Sequence, residues 1–203
     1  MLKKIILTIV VLLVVATGSY GVEIGGVELA ETMKIGNEEL VLNGYGLRKK
    51  FMFKVYAAGL YLLAKQTDNK AVHVANDPQV LLMKYRRGIP IQKIDSVFYE
   101  SFAVSAGEPE RDVYDATGKY GNVTKETVKF MGWLCQKDTE KNDEWIFKYT
   151  PGKGTDVYIN RGGVEDHKGT IPGLDFKKVL FGIWLMDDAP VGSSLTEQLM
   201  GDV

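Results

Sequence analysis

The chain has 203 residues, 45% of them hydrophobic and 25% charged. These are ordinary globular proportions, and they exclude long disorder and low-complexity architecture. Lys and Arg number 25 against 26 Asp and Glu, so no basic excess advertises a nucleic-acid surface.

The N-terminus reads as a secretory signal. Lys3 and Lys4 precede an apolar run from Ile5 to Ala16, and Thr17-Gly18-Ser19-Tyr20-Gly21 supplies small residues for a cut after Gly21. The run is short for a bilayer span, which needs roughly 20 residues. The expectation is a signal over 1–21, a single domain over 22–203, a periplasmic location, and no membrane span after cleavage. Cys135 is then an odd thiol in an oxidising compartment. It lies in the apolar part of a predicted helix, which favours a buried, inert role.

In chain order, Val27 to Lys34 and Glu38 to Asn43 read as strands around an Ile35-Gly36-Asn37 turn. Asn43-Gly44-Tyr45-Gly46 reads as a second break, its glycines suited to positive φ. Phe51 to Leu63 reads as a long strand. Phe51, Phe53, Val55, Ala57, Gly59 and Tyr61 fall on one face, and Met52, Lys54, Tyr56, Ala58, Leu60 and Leu62 on the other. Both faces are largely apolar, which places this strand centrally, covered on both sides. Thr67-Asp68-Asn69 can cap a short helix through about Ala75, and Gln79 to Arg86 reads as a strand.

Pro90 opens a predicted helix to Ser105 with Ile91, Ile94, Phe98 and Phe102 on one stripe. A helix over Thr124 to Gln136 turns Val128, Met131 and Cys135 inward. Glu144 to Tyr149 and Thr155 to Asn160 form a hairpin, with a third strand over Gly163 to Thr170. Pro172-Gly173 precedes a helix whose apolar face carries Phe176, Val179, Leu180, Ile183 and Trp184. The last helix starts at Ser194 with Glu197 at the capping-box position. Together these predict an α+β domain, an antiparallel sheet with helices on one face.

The common chemistries find little support. His73 and His167 sit in no ligand cluster and read as solvated, so no metal is expected. No Gly-x-Ser-x-Gly elbow, P-loop ending or dinucleotide fingerprint occurs, and no cofactor is expected. A cationic and phenolic set remains: Arg48 after the glycines, with Lys54 and Tyr56 on an otherwise apolar face. An arginine beside an apolar groove suits a carboxylate or polarised carbonyl, through two charge-assisted bonds. A buried tyrosine hydroxyl needs a partner, and a ligand oxygen can be one. The same arginine could instead pair with a surface carboxylate, and the tyrosine could simply pack. On one unbroken strand Arg48 and Tyr56 stand roughly 26 Å apart, at about 3.3 Å per residue. One small ligand can reach both only if the chain bends around Lys49-Lys50.

The segment Leu42-Asn-Gly-Tyr-Gly-Leu-Arg48-Lys-Lys-Phe-Met-Phe-Lys54-Val-Tyr56-Ala-Ala-Gly59-Leu-Tyr61-Leu62 resembles the signature of chalcone-isomerase-like proteins. Val179-Leu-Phe-Gly182-Ile-Trp184-Leu185, followed by Pro190 and the Ser194-to-Gly201 helix, resembles that family's C-terminal segment. The exported form is similar to its bacterial branch. The resemblance spans about Val22 to Gly201 and implies an open-faced β-sandwich with a ligand cleft between sheet and helices. It implies that Arg48 holds the position of the arginine that orients a phenolate and stabilises developing charge in the plant isomerases. Tyr56 stands at the family's strand threonine, a departure shared in kind with fatty-acid-binding relatives, where an arginine and a tyrosine hold a carboxylate. The helix that carries tyrosine, lysine and asparagine in the isomerases corresponds to Pro90, Lys93 and Val97, so only the lysine survives. The C-terminal hydroxyl residue falls near Gly182.

The resulting expectation is a noncatalytic binder of a small or fatty-acid-like carboxylate, held by Arg48 with Tyr56 and Lys93. The alternatives are an intramolecular lyase of the chalcone-isomerase type, with Arg48 stabilising an oxyanion, and a structural or chaperone-like envelope protein whose cleft is filled by its own side chains.

Overall fold

The computed structural model describes residues 21–107, 117–118, 121–122 and 124–201. The signal read over 1–21 lies outside these residues, apart from Gly21. The chain opens with a hairpin, β1 (Gly21–Ile24) and β2 (Val27–Ala30), turning through Gly25 and Gly26, both at positive φ. Then come β3 (Thr32–Ile35), β4 (Glu38–Lys50), β5 (Phe53–Leu62), α1 (Asn69–Val74), β6 (Gln79–Tyr85) and α2 (Ile91–Ser105). A two-residue pair, β7 (Thr117–Gly118) and β8 (Gly121–Asn122), leads to α3 (Thr124–Leu134). The chain closes with β9 (Glu144–Thr150), β10 (Gly154–Arg161), β11 (Val164–Ile171), α4 (Leu174–Leu185) and α5 (Ser193–Leu199).

Seven strands form one antiparallel sheet in the order β11-β10-β9-β6-β5-β4-β3. Alternation along β5 divides the core. Tyr56, Ala58, Leu60 and Leu62 face the helices and join Trp145 and Phe147 of β9, Phe98 and Phe102 of α2, Phe130 of α3 and Trp184 of α4. The rings meet edge-on or tilted, as at Phe102–Phe130 with centroids 5.6 Å apart. Ala57 and Tyr61 point the other way, onto Val27 and Leu29 of the β1–β2 hairpin. The central, doubly covered strand predicted over 51–63 is β5, and the α+β architecture is as expected.

Several local expectations need correction. The strand read over 27–34 breaks at Glu31, and its halves enter different sheets. The break read at Asn43-Gly44-Tyr45-Gly46 is absent: β4 runs through it with only a register shift at Leu42/Gly44, and neither glycine has positive φ. Close approach explains them instead. A Cβ on Gly44 would lie 2.4 Å from the carbonyl oxygens of Gln198 and Leu199, and one on Gly46 would lie 2.5 Å from Leu195. The α5 helix rests there, with Asn43 donating to the Leu199 carbonyl at 2.9 Å.

Val128 is 42% exposed, while Thr127, Phe130, Met131 and Leu134 turn inward, so the buried face of α3 is rotated toward Phe130. The α5 helix starts at Ser193 after Gly192 without a side-chain cap, and no capping box forms. His73 is buried, its ring against the Lys178 carbonyl at 2.7 Å, not solvated. Beside it Lys177, also fully buried, donates to the carbonyls of Val72, His73 and Ala75 at 2.8–3.1 Å and so closes the C-terminus of α1. Cys135 is half-buried, and burial together with the neighbouring Asp95 carboxylate pushes its thiol up to about 12. That agrees with an inert role.

Candidate functional site

The site starts at the turn that joins β4 to β5. Phe51 and Met52 make this turn, Phe51 with φ of 54°. The chain therefore doubles back one residue beyond Lys50, and Arg48 becomes the direct cross-strand partner of Tyr56. The wide separation that a single strand would impose does not arise. Tyr56 is in turn the partner of Tyr85 on β6. Direct antiparallel partners share a face, so Arg48, Tyr56 and Tyr85 form a row across three strands on the side facing the helices.

Above this row lies a cavity of about 290 Å³. Its roof is α2, through Lys93, Ile94, Val97, Phe98 and Ser101, and its back is Ile183 and Trp184 of α4. Its mouth is formed by Lys50, Phe51, Phe53 and Arg87 with Pro190 and Val191. Arg48 is half-buried and also borders a second groove, of about 520 Å³, beside α5.

Four cations thus rim one apolar cavity: Arg48, Lys50, Arg87 and Lys93. None makes a salt bridge to a carboxylate among the described residues. Arg87 instead lies over the Phe53 ring, 4.7 Å from its centroid. Among the described residues no carboxylate, imidazole or thiol lines the cavity.

Two phenols make the floor. Tyr56 is buried, and its hydroxyl accepts from Trp184 Nε1 at 3.0 Å. Burial pushes its pKa up to about 12, although the Trp184 bond and the Arg48 charge pull the other way. Burial likewise holds Tyr85 well above the ordinary value, with Tyr56 adding to the rise. Both are neutral donors at any physiological pH. Among the described residues the Tyr56 proton has no protein acceptor. The arrangement can therefore neutralise and hydrogen-bond a negative oxygen. Among the described residues it holds no carboxylate or imidazole, the usual general bases.

The structure brings Arg48, Tyr56 and Lys93 to this cavity. Lys54 is not there: it is exposed near the tip of the β4–β5 hairpin, paired with Lys49. Pro90 precedes α2 and does not line the cavity, whereas Val97 does. Gly182 faces Ser105 and His73, where α4 packs closely on α2 and α1. Sequence reasoning missed Tyr85, Arg87, Lys50 and Ser101. Tyr85 and Arg87 stand two apart at the end of a predicted strand, a spacing that puts them on one face. Only the pairing of β6 with β5 shows which face.

Residues 21–201 match a family model described as chalcone isomerase-like. The fold is similar to that of a fatty-acid binding protein of Arabidopsis thaliana, with a TM-score of 0.63 at 14% identity over 87% of this chain and 93% of that one. No curated protein sequence matches the chain.

Proposed function

The chain belongs to the chalcone isomerase-like family, and we propose that it serves there as a noncatalytic, exported binder of a small or fatty-acid-like carboxylate. The observation that carries this reading is the row of Arg48 and Tyr56 beneath an apolar cavity whose rim cations have no carboxylate partner among the described residues. The carboxylate would take a charge-assisted bond from Arg48 and a hydrogen bond from the neutral Tyr56 hydroxyl, with Lys93 adding charge from α2. The apolar tail would lie among Ile94, Phe98 and Ile183. The fold shared with a protein whose name records fatty-acid binding is in keeping with this reading. Export rests on the N-terminal charged and apolar pattern.

The cavity is at the lower edge of the ~300–1,000 Å³ typical of small-molecule sites. It suits short or medium acyl chains. Each added methylene should tighten binding about four-fold, from ~0.8 kcal/mol per buried CH₂, until the cavity is full. Calorimetric titration of the purified chain with a series from butanoate to hexadecanoate tests this. Saturable binding that rises and then levels off is expected. Arg48→Ala should weaken binding by about 10- to 150-fold, the scale of a hydrogen bond to a charged group. No saturable binding by any member of the series would remove the ligand reading. Arg48-dependent cyclisation of a chalcone above the spontaneous rate would replace it with the isomerase.

A further inference from the structure

The tip of the β4–β5 hairpin departs from the rest of the surface. Phe51 is 91%, Met52 86% and Phe53 54% exposed. Large exposed apolar residues elsewhere among the described residues stand singly, as is normal. Here three follow one another at the extremity of a projecting turn. Cations surround them: Lys49 and Lys54 are direct cross-strand partners, and Lys50 pairs with Phe53. Like charges placed directly opposite each other are unfavourable. No Asp or Glu occurs anywhere from residue 40 to residue 67 to offset them. None of the three lysines makes a salt bridge among the described residues.

We propose that this tip docks on an anionic lipid surface, with Phe51 and Met52 entering the acyl boundary and the lysines at the level of the phosphates. An apolar wedge with a cationic collar matches both layers of such a surface, and each basic residue near it adds attraction. No described helix is long and apolar enough to cross a membrane. Phe51, Phe53 and Lys50 also rim the cavity, so docking sets its mouth against the leaflet. That consequence, unlike the docking, rests on the proposed ligand reading.

The test places an environment-sensitive fluorophore at Met52→Cys in a Cys135→Ser background and adds vesicles of phosphatidylcholine with or without phosphatidylglycerol. A probe at position 52 reports the tip itself and not the apolar N-terminal run. A blue-shifted, brighter emission with anionic vesicles only is expected, weakened at least about ten-fold at 1 M salt, where the screening length is roughly 3 Å. Co-sedimentation of unlabelled Met52→Glu and of Lys49→Glu/Lys54→Glu should each fall at least about ten-fold. None of these three residues lines the cavity, and an unchanged circular dichroism spectrum and denaturant midpoint serve as the check that the variants are folded. Unchanged emission on anionic vesicles, or an equal response to neutral ones, overturns the proposal. So does a blue shift without vesicles accompanied by a dimeric mass, which would assign the tip to a second copy of the chain.

Discussion

The two halves of the sheet treat charge in opposite ways. In the β6–β11 half, charges are matched within the protein. Asp156, 5% exposed, receives Lys153 at 2.5 Å, Thr170 at 2.5 Å and His167 at 3.3 Å. Glu144 takes Lys84 on one oxygen and Asn160 on the other, at 2.6 and 3.0 Å. Arg161 stands 3.4 Å from Asp143. In the β4–β6 half, Arg48, Lys50 and Arg87 gather at one cavity that no carboxylate lines among the described residues. A buried charge must be matched to be tolerated, whereas a cation at a rim can remain solvated until a ligand arrives. Internally matched charge is therefore suited to holding structure, whereas unmatched charge beside an apolar hollow is what the proposed ligand site would need.

Substitutions can break or sharpen that contrast. The largest effect on stability is expected at Asp156→Ala, which removes the acceptor shared by three donors and should cost about 2–3 kcal/mol in denaturant unfolding. A cost below about 0.5 kcal/mol would end the claim that this half is held by its charges. Tyr56→Phe comes next. It leaves the Trp184 indole N–H unpaired in the core, so a loss of about 1–2 kcal/mol is expected, together with weaker carboxylate binding. Because burial raises the native pKa of Tyr56 to about 12 from an unfolded value of about 10, its contribution is complete below pH 10. It is lost as pH rises through 12. Tyr56→Phe should remove its share of the alkaline fall from the stability profile, leaving the share of the buried Tyr85.

The acid limb separates the halves again. Burial alone would raise the pKa of Asp156, but the bonds from Lys153, Thr170 and His167 outweigh it and hold the carboxyl below its ordinary value. Its contribution is present above the unfolded pKa of about 3.9 and is lost as pH falls through the lower native value. The stability gap between wild type and Asp156→Asn should therefore close below pH 3.9 when unfolding is followed against pH. The smallest stability effect at neutral pH is expected for Arg48→Ala, within about 0.5 kcal/mol, while ligand affinity drops. Marked destabilisation by Arg48→Ala would reassign the arginine to structure.

Periodicity made much of the scaffold legible. The stripe of Phe176, Val179, Leu180, Ile183 and Trp184 lies on the buried face of α4, the β9–β10 hairpin turns at Pro151-Gly152, and the two apolar faces of β5 meet two different layers. The failures share one cause. Gly44 and Gly46 look like turn residues, yet they exist to let α5 approach, a contact some 150 residues away in sequence. His73 looks like a surface residue and is buried, with Lys177 beside it, because α1 and α4 pack together. In each case the deciding partner lies far along the chain.

Composition and alternation by themselves determined the class of fold and the central place of β5, because side-chain direction on a strand or helix is a local property; they offered Arg48 and Tyr56 only as candidates, which the family resemblance sharpened. Tertiary structure alone decided that these two side chains meet, that Tyr85 and Arg87 join them, and that Lys54 turns away. Those outcomes depend on where the chain reverses and which strands pair, and that is set by the summed packing of distant segments.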